Sequence, residues 1–210
     1  MIVADSGKAW HRETISQSVE EVISELAPLV EDFYLAGGTG LALHLGHRRS
    51  RDLDLFSYDT FDPESFVHKL QGFPEFGVMS KGEGTLHCTL RGVKISLLAY
   101  PYPLLFPAGQ LGRLRIAQVR DIACMKIAAI AGRATKRDFV DLYLVSRDQE
   151  LRLILDLFKR KFGQANYSLP HILKSLTYFE EAEIDPMPDM LMNVSWPEVK
   201  EFFRNEIPRL

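Results

Sequence analysis

Residues 36–56 read AGGTGLALHLGHRRSRDLDLF and contain the most informative pattern in the chain. A Gly-Gly-Thr turn at residues 37–39 precedes two aspartates, Asp52 and Asp54. These aspartates lie in an apolar run. Side chains alternate along a strand, so both carboxylates are expected on one face, roughly 7 Å apart. Two such carboxylates can share Mg²⁺ with the phosphates of a substrate. The pair therefore predicts a metal site.

The residues before the aspartates predict a strand, a tight turn and a helix. Residues 33–36 are apolar and fit a short buried strand, and Gly37 and Gly38 permit a tight turn. A helix beginning near Thr39 would direct its free backbone N–H groups toward a phosphate. Taken singly, the aspartate pair and the Gly-Gly-Thr turn are both common in ordinary turns and helix caps. Their combination in one short unit favours a site for a metal and a phosphate.

Composition limits the class of protein. The chain has 210 residues, of which 46% are hydrophobic and 25% charged, which suits one domain or one domain with a helical extension. No apolar run approaches the ~18 residues of a membrane span, and the N-terminus lacks a signal pattern. Cys88 and Cys124 lack metal-ligand spacing and are predicted to be reduced core thiols. A cytoplasmic location is expected.

The distribution of charge narrows the expected ligands. A net charge of −3 argues against a dedicated binder of duplex DNA. Basic residues nevertheless gather in two places, where they suit a triphosphate or an RNA end, although some will simply be solvated. They are His47, Arg48, Arg49 and Arg51 before the aspartates, and Arg113, Arg115, Arg120, Lys126, Arg133, Lys136 and Arg137 further along.

The remaining periodicity predicts a mixed α/β core followed by helices. The expected core elements are a helix over about 14–30, a helix over 63–70 capped by Asp62, and strands over 75–80 and 84–99, the latter folded at Arg91-Gly92. The proline-rich residues 100–107 are expected to end the sheet. After Gly112 the pattern is helical, with breaks near Gly132, Asp148, residues 163–169 and residues 184–188. The predicted division is a core over 1–112 and a helical region over 113–210 packed on it.

Two sequence blocks resemble a known family. GGTGLALHLGHRRSRDLDLF is similar to the first motif of the AbiEii/AbiGii nucleotidyltransferases, a branch of the DNA polymerase β superfamily that includes toxins of bacterial toxin-antitoxin and abortive-infection systems. KIAAIAGRATKRDFVDLYLV, from Lys126 to Val145, is similar to that family's downstream helical motif. The resemblance covers roughly residues 30–150. It implies a polymerase β-like α/β core with a mixed sheet and a helical C-terminal part.

The second block has two readings from its residues alone. If a helix ran unbroken from about Gln118, then Lys126, Arg133 and Arg137 would share one face and could grip a triphosphate. If the helix instead broke at Gly132, Thr135 and Asp138 would form a capping pair at a new helix start, and Asp138 would be structural. The resemblance implies that Lys126, Asp138 and Asp141 line the nucleotide site.

One position departs from the superfamily pattern. The resemblance implies a third carboxylate on a strand beside the aspartate pair, and the matching strand, residues 93–98, has Ser96 at that position. A neutral hydroxyl is a poor general base and a poor ligand for a catalytic metal. The resemblance therefore leaves several outcomes open. The site would hold one metal firmly and the other weakly, with reduced activity, or it would use the substrate as the base, or transfer would be lost. It could also borrow a carboxylate such as Glu83, Asp138 or Asp141.

The resemblance implies a metal-dependent nucleotidyltransferase that uses an NTP and Mg²⁺ or Mn²⁺. Asp52 and Asp54 are expected to hold metal, and with Lys126 they are the predicted catalytic residues. The predicted nucleotide-binding residues are Gly37, Gly38, Thr39, Arg48, Arg49, Ser50, Lys126, Arg133, Asp138 and Asp141.

The same resemblance implies an acceptor that is an RNA end or a protein, and a toxin role with an antitoxin protein as partner. Two alternatives stay open. One is a catalytically degenerate module that binds nucleotide or a partner, and the other is a nucleotidyltransferase acting on a small molecule. Fold analogy alone does not identify the acceptor.

Overall fold

The computed structural model describes residues 9–165 and 167–210. The chain forms two compact units. The first comprises the chain up to Pro103 together with Pro107–Gln118, and the second comprises Leu104–Phe106 together with Val119–Leu210. Among the described residues, no helix is long and apolar enough to cross a membrane. The prediction about an N-terminal signal pattern concerns mainly residues 1–8, which lie outside the described residues.

The first unit is built on a seven-stranded mixed sheet. Its strands are β1 (Tyr34–Leu35), β2 (Leu53–Ser57), β3 (Gly77–Gly82), β4 (Thr85–Leu90), β5 (Val93–Ala99), β6 (Gly109–Leu111) and β7 (Leu114–Ile116). Their order across the sheet is β3-β4-β5-β2-β1-β7-β6. The β2/β5 and β1/β7 pairs are parallel, and the other neighbours are antiparallel. The predicted α/β class with a mixed sheet is confirmed.

Three helices accompany this sheet: α1 (Gln17–Leu26), α2 (Gly37–Leu45) and α3 (Pro63–Leu70). Short 3₁₀ turns lie at Arg12–Thr14 and Ala27–Leu29. The predicted amphipathic helix is α1, which buries Val19, Val22, Ile23 and Leu26, an i, i+3, i+4, i+7 stripe. This stripe belongs to the same hydrophobic core as alternate residues of β2, β4 and β5.

Two local predictions in this unit are confirmed by backbone geometry. The Asp62 carboxylate accepts hydrogen bonds from the backbone N–H groups of Glu64 and Ser65, at 3.1 and 3.2 Å, and so caps α3 as expected. Arg91 and Gly92 both have positive φ, 50° and 75°, which is the conformation of a two-residue hairpin turn between β4 and β5.

The prediction that the sheet ends at residues 100–107 is wrong. Residues 109–116 form the hairpin of β6 and β7, which turns at Gly112 with a φ of +60°. Three-residue strands are too short to produce a clear period of two, and β7 is held by parallel pairing with β1, whose sequence is distant. The helical region therefore begins at Val119 and not directly after Gly112.

The second unit is helical. Its helices are α4 (Val119–Arg133), α5 (Lys136–Asp148), α6 (Leu151–Lys161), α7 (Leu169–Ser175), α8 (Glu180–Glu183) and α9 (Trp196–Glu206), followed by a 3₁₀ turn at Ile207–Arg209. All four predicted breaks fall between helices or at a helix end. Phe139 of α5 lies at the centre of the core, in ring contact with Phe179, Trp196 and Phe203.

A buried ion pair fixes one edge of this helical unit. Lys161 donates to the Asp121 carboxylate at 2.8 Å, and both side chains are fully buried. Asp121 also accepts the backbone N–H groups of Leu105 and Phe106, at 2.9 and 3.1 Å. Because both of its oxygens accept hydrogen bonds within this unit, Asp121 is a structural anchor for the 104–106 segment.

Candidate active site

The carboxylate pair is positioned by β2 and by its neighbour β1. Asp54 lies within β2, between the buried residues Leu53 and Leu55, and Asp52 immediately precedes the strand. The backbone N–H of Ala36 donates to the Asp54 carbonyl at 3.0 Å, which fixes the end of β1 beside Asp54. Since α2 begins at the next residue, Gly37, the helix N-terminus lies next to the strand that holds Asp54.

Gly37 is required by the backbone and by space. Its φ is +60°, which favours glycine, and a Cβ atom added there would lie 2.5 Å from the Asp54 Oδ2 atom. The Asp54 carboxylate therefore lies directly against the first residue of α2. The partial positive charge of a helix N-terminus stabilises a carboxylate in this place, and the predicted Gly-Gly turn is accounted for.

Arg48 approaches the same helix start. A Cβ atom added to Gly38 would overlap the Arg48 Nη2 atom, so the guanidinium lies over the Gly38 backbone. Arg48 is only 5% exposed, and its Nη1 donates to the Arg49 carbonyl at 3.1 Å. Arg49 itself is exposed. A guanidinium beside the N-terminus of α2 makes this region electropositive, which suits a phosphate.

Thr39 has a contact that was not predicted. Its buried hydroxyl contacts the Asp52 carbonyl oxygen and lies 2.7 Å from Ser50 Oγ. The carbonyl can only accept, so the Thr39 proton points to Asp52 and the Ser50 hydroxyl donates to Thr39. The backbone N–H of Ser50 also donates to the Thr14 carbonyl at 2.9 Å. The Thr39 side chain thus holds the segment that positions Asp52.

The strand beside Asp54 is the one predicted. β5 pairs with β2 in parallel, with Ser96 in register with Asp54. Ile95 and Leu97 are buried while Ser96 is half-buried, so Ser96 shares the sheet face of Asp54. The position at which an acid was expected therefore holds a hydroxyl next to Asp54.

His87 is a neighbour of this site that sequence reasoning missed. It lies opposite Ser96 in the antiparallel pair of β4 and β5, and its Nδ1 is 3.0 Å from Ser96 Oγ. Alternation in β4, where Leu86 and Cys88 are buried, signals that His87 faces away from the core. The predicted two-residue turn at Arg91-Gly92 sets this register, so the hairpin was the signal that could have found the His87–Ser96 pair.

The donor set of the aspartate pair fits a hard divalent cation. Among residues 9–165 and 167–210, no group of three or more His, Cys, Asp or Glu side chains could hold a metal ion. Two carboxylates suit Mg²⁺, which usually binds to one or two carboxylates together with water and a substrate phosphate. The residues therefore fit a cation that arrives with its substrate.

In the second unit, Lys126 lies between two buried carboxylates. Its Nζ donates to Asp138 Oδ1 at 2.7 Å and to Asp141 Oδ2 at 2.6 Å. Arg133 adds a contact from its Nε to Asp138 Oδ2 at 3.1 Å. Burial opposes ionisation of Asp138, but the charges of Lys126 and Arg133 outweigh it and hold the pKa of Asp138 below its ordinary value. The four side chains form one ion network.

The structure decides between the two readings of the second block. The hypothesis of an unbroken helix is wrong, because α4 ends at Arg133 and Ala134 has a φ of +42°. A new helix, α5, begins after Thr135, whose hydroxyl donates to Asp138 Oδ2 at 2.6 Å. Arg137 therefore belongs to α5, and the predicted row of cations along one helix does not form. The predicted contact between Thr135 and Asp138 forms, but the Thr135 hydroxyl donates to the Asp138 side chain and does not accept a backbone N–H of α5, so it is not a side-chain cap.

Both cysteines lie in cores, as predicted. Burial raises the pKa of the Cys88 thiol to about 11 and that of the Cys124 thiol to about 12. Neither thiol is therefore a nucleophile near neutral pH.

Comparison with solved structures identifies the class of fold. MenT4, a nucleotidyltransferase toxin from Mycobacterium tuberculosis H37Rv, superposes with a TM-score of 0.63 at 19% identity, covering 90% of this chain and 80% of that one. A putative nucleotidyltransferase from Helicobacter pylori gives a TM-score of 0.51 at 15% identity, covering 93% and 97%. The protein thus has a nucleotidyltransferase fold.

Sequence comparison then identifies the family. The model for the nucleotidyl transferase AbiEii toxin, of type IV toxin-antitoxin systems, matches residues 22–84 and 96–207. A protein of Aquifex aeolicus strain VF5, described as uncharacterized, is 36% identical over 197 residues, which is 91% of this chain and 93% of that protein. The chain belongs to the AbiEii nucleotidyltransferase toxin family, and the resemblance inferred from the two motifs is confirmed.

Proposed function

We propose that this protein transfers a nucleoside monophosphate from an NTP to a hydroxyl group on an acceptor. The observation that supports the proposal most strongly is the contact of the Asp54 carboxylate with the first residue of α2, at a position where only Gly37 fits. Beside it, the Arg48 guanidinium lies over Gly38. A metal-binding carboxylate, a helix N-terminus and a buried cation within one small region are what a metal-bound triphosphate needs.

The site residues of the first unit have separate proposed roles. Asp52 and Asp54 would bind Mg²⁺ or Mn²⁺, which would neutralise charge on the phosphates. Backbone N–H groups of residues 37–39 and the Arg48 guanidinium would bind the β- and γ-phosphates, with the exposed Arg49 at the rim. Ser50 would act through Thr39, since their hydrogen bond holds the segment that positions Asp52.

The reaction would be an in-line displacement at the α-phosphorus. The acceptor oxygen forms a bond to this atom, the bond to the bridging oxygen of the β-phosphate breaks, and pyrophosphate leaves. The acceptor hydroxyl loses its proton in the process. The protein would contribute positioning and charge stabilisation, which supply most of the catalysis in phosphoryl chemistry.

The ion network of the second unit is proposed to help bind the nucleotide. The family's downstream motif falls on this network, which supports that role. Within it, Arg133 is the accessible cation, because its side chain is 58% exposed while that of Lys126 is 5% exposed. Lys126 would stabilise negative charge, and Asp138 and Asp141 would hold both cations in place.

Membership of the toxin family supports a role as the toxin of a toxin-antitoxin system. The proposed acceptor is an RNA end or a protein side chain, and an antitoxin protein would oppose the activity. An NTP substrate would place the reaction in the cytoplasm.

The test is transfer of label from each of the four NTPs, ³²P-labelled at the α position, in the presence of Mg²⁺ and total cell RNA or total protein. Label should enter RNA or protein, and NTP labelled at the γ position should not label either. The Asp54→Asn variant should lose transfer. Asp59→Asn, an exposed aspartate that follows β2, is the matched control and should retain it. Incorporation of γ-label would contradict nucleotidyl transfer.

A second candidate function is favoured by Ser96. Because this hydroxyl stands next to Asp54 where an acid was expected, the protein could bind nucleotide without transferring it. Saturable binding of Mg²⁺·NTP by calorimetry, combined with no incorporation of α-label into RNA, protein or small molecules, would support this binding module instead.

A further inference from the structure

A transfer reaction of this kind requires a group that accepts the proton of the acceptor hydroxyl. Ser96 cannot serve, because a serine hydroxyl is neither charged nor basic near neutral pH. The structure nevertheless brings a basic side chain to the Ser96 position. His87, on the next strand, contacts Ser96 Oγ through its Nδ1 at 3.0 Å.

Three strands lie side by side to form this arrangement. Asp54 in β2 is in register with Ser96 in β5, and Ser96 is in register with His87 in β4. Paired residues of adjacent strands project to the same face of a sheet, so all three side chains share one face. The buried neighbours of each, such as Leu55, Leu97 and Leu86, lie on the opposite face.

We propose that His87 is the proton acceptor of the transfer reaction and that Ser96 positions its ring. The proposal rests on the proposed nucleotidyl transfer. In the reactive tautomer, His87 Nδ1–H donates to Ser96 Oγ, which leaves a lone pair on Nε2. As the acceptor oxygen bonds to the α-phosphorus and pyrophosphate leaves, the hydroxyl proton passes to Nε2. The resulting imidazolium returns this proton to water before the next turnover.

An imidazole is chemically suited to this role. The neutral ring carries an N–H on one nitrogen and a lone pair on the other, so it can be held at one atom while it accepts a proton at the other. The charged groups that share this face with His87 come from neighbouring strands of the described sheet. Lys94 of β5 faces the same way as Ser96, and Asp54 lies one strand further on, whereas β3 presents Ser80 opposite His87.

The test compares His87→Ala with His68→Ala, an exposed histidine on α3 that serves as the matched control. Initial rates of α-label transfer from NTP to total RNA are measured between pH 5.5 and 8.5, at saturating Mg²⁺ and NTP. For the wild type and for His68→Ala, the rate should rise with pH and reach a plateau. For His87→Ala, the plateau rate should fall about 100- to 10,000-fold and the rising limb should disappear.

Two further measurements separate base catalysis from a structural role. Binding of Mg²⁺·NTP to His87→Ala, measured by calorimetry, should stay within about twofold of the wild type, because the imidazole acts on the acceptor side. Added imidazole should restore part of the lost rate. His87→Gln preserves much of the side-chain volume, so it provides the same comparison if the alanine variant does not fold.

The possible outcomes distinguish this proposal from the one it rests on. If the wild type transfers label and His87→Ala keeps both the rate and the rising limb, the role of His87 is refuted while nucleotidyl transfer stands. If His87→Ala loses nucleotide binding together with activity and imidazole does not restore the rate, His87 supports binding or folding and is not the base. If the wild type transfers no label, both proposals fail.

Discussion

Substitution of Gly37 by alanine tests the geometry of the candidate active site most directly. The new Cβ would lie 2.5 Å from Asp54 Oδ2 and 3.2 Å from Asp54 Cβ, so the carboxylate would have to retreat by about 1 Å to reach ordinary contact distance. The φ of +60° at residue 37 adds a backbone cost of about 1 to 2 kcal/mol for any L-residue.

Gly112→Ala is a matched control for the backbone cost. Gly112 also has a φ of +60°, but an added Cβ would meet nothing within 4 Å among the described residues. Gly112→Ala should therefore lose about 1 to 2 kcal/mol in free energy of unfolding, and Gly37→Ala should lose at least as much, because its Cβ also displaces the Asp54 carboxylate. Only Gly37→Ala should move Asp54, and its affinity for Mg²⁺·ATP should fall at least about tenfold, which corresponds to about 1.4 kcal/mol.

The measurements are urea denaturation for the free energy of unfolding and isothermal titration calorimetry for Mg²⁺·ATP, each applied to the wild type and to both variants. Gly112→Ala should bind as the wild type does. The reasoning would be refuted by unchanged binding in Gly37→Ala, since Asp54 would then not contribute to the site from this position. Equal loss of binding in both variants would trace the effect to stability alone.

Three other predictions follow from the two sites. Asp54→Asn should abolish Mg²⁺-dependent binding of NTP in calorimetry while thermal denaturation still shows an intact fold, and unchanged binding would remove Asp54 from the metal site. Lys126→Ala should cost about 3 to 5 kcal/mol in urea denaturation, because it strands two buried carboxylates, whereas the exposed Lys159→Ala should cost less than about 1 kcal/mol. Because the folded-state pKa of Asp138 is lowered, its contribution to stability should be complete above its ordinary value of 3.8 and should be lost as the pH falls below it. Asp138→Asn should therefore flatten the fall in unfolding free energy below pH 3.8, and an unaltered acid profile would contradict this assignment.

The sequence alone predicted the local conformation wherever that conformation depends on residues close together in the chain. The capping of α3 by Asp62, the hairpin at Arg91-Gly92 and the turn at Gly37 each involve groups a few residues apart, so residue type alone indicates the local conformation. The same holds for α1, whose buried stripe repeats with the helical period. The two family motifs also lie within short segments, which is why they could be recognised without coordinates.

The tertiary structure decided everything that depends on pairing between distant segments. The hairpin of β6 and β7 was missed because its three-residue strands are stabilised by ladder hydrogen bonds to β1, a partner about eighty residues away. Alternation and the hairpin at Arg91-Gly92 could place His87 opposite Ser96, but the pairing of β5 with β2 is long-range, and it is this pairing that puts Asp54 two strands away from His87 on the same face. Which groups share a site is set by long-range backbone hydrogen bonding and core packing, and neither is encoded in the local pattern of residues.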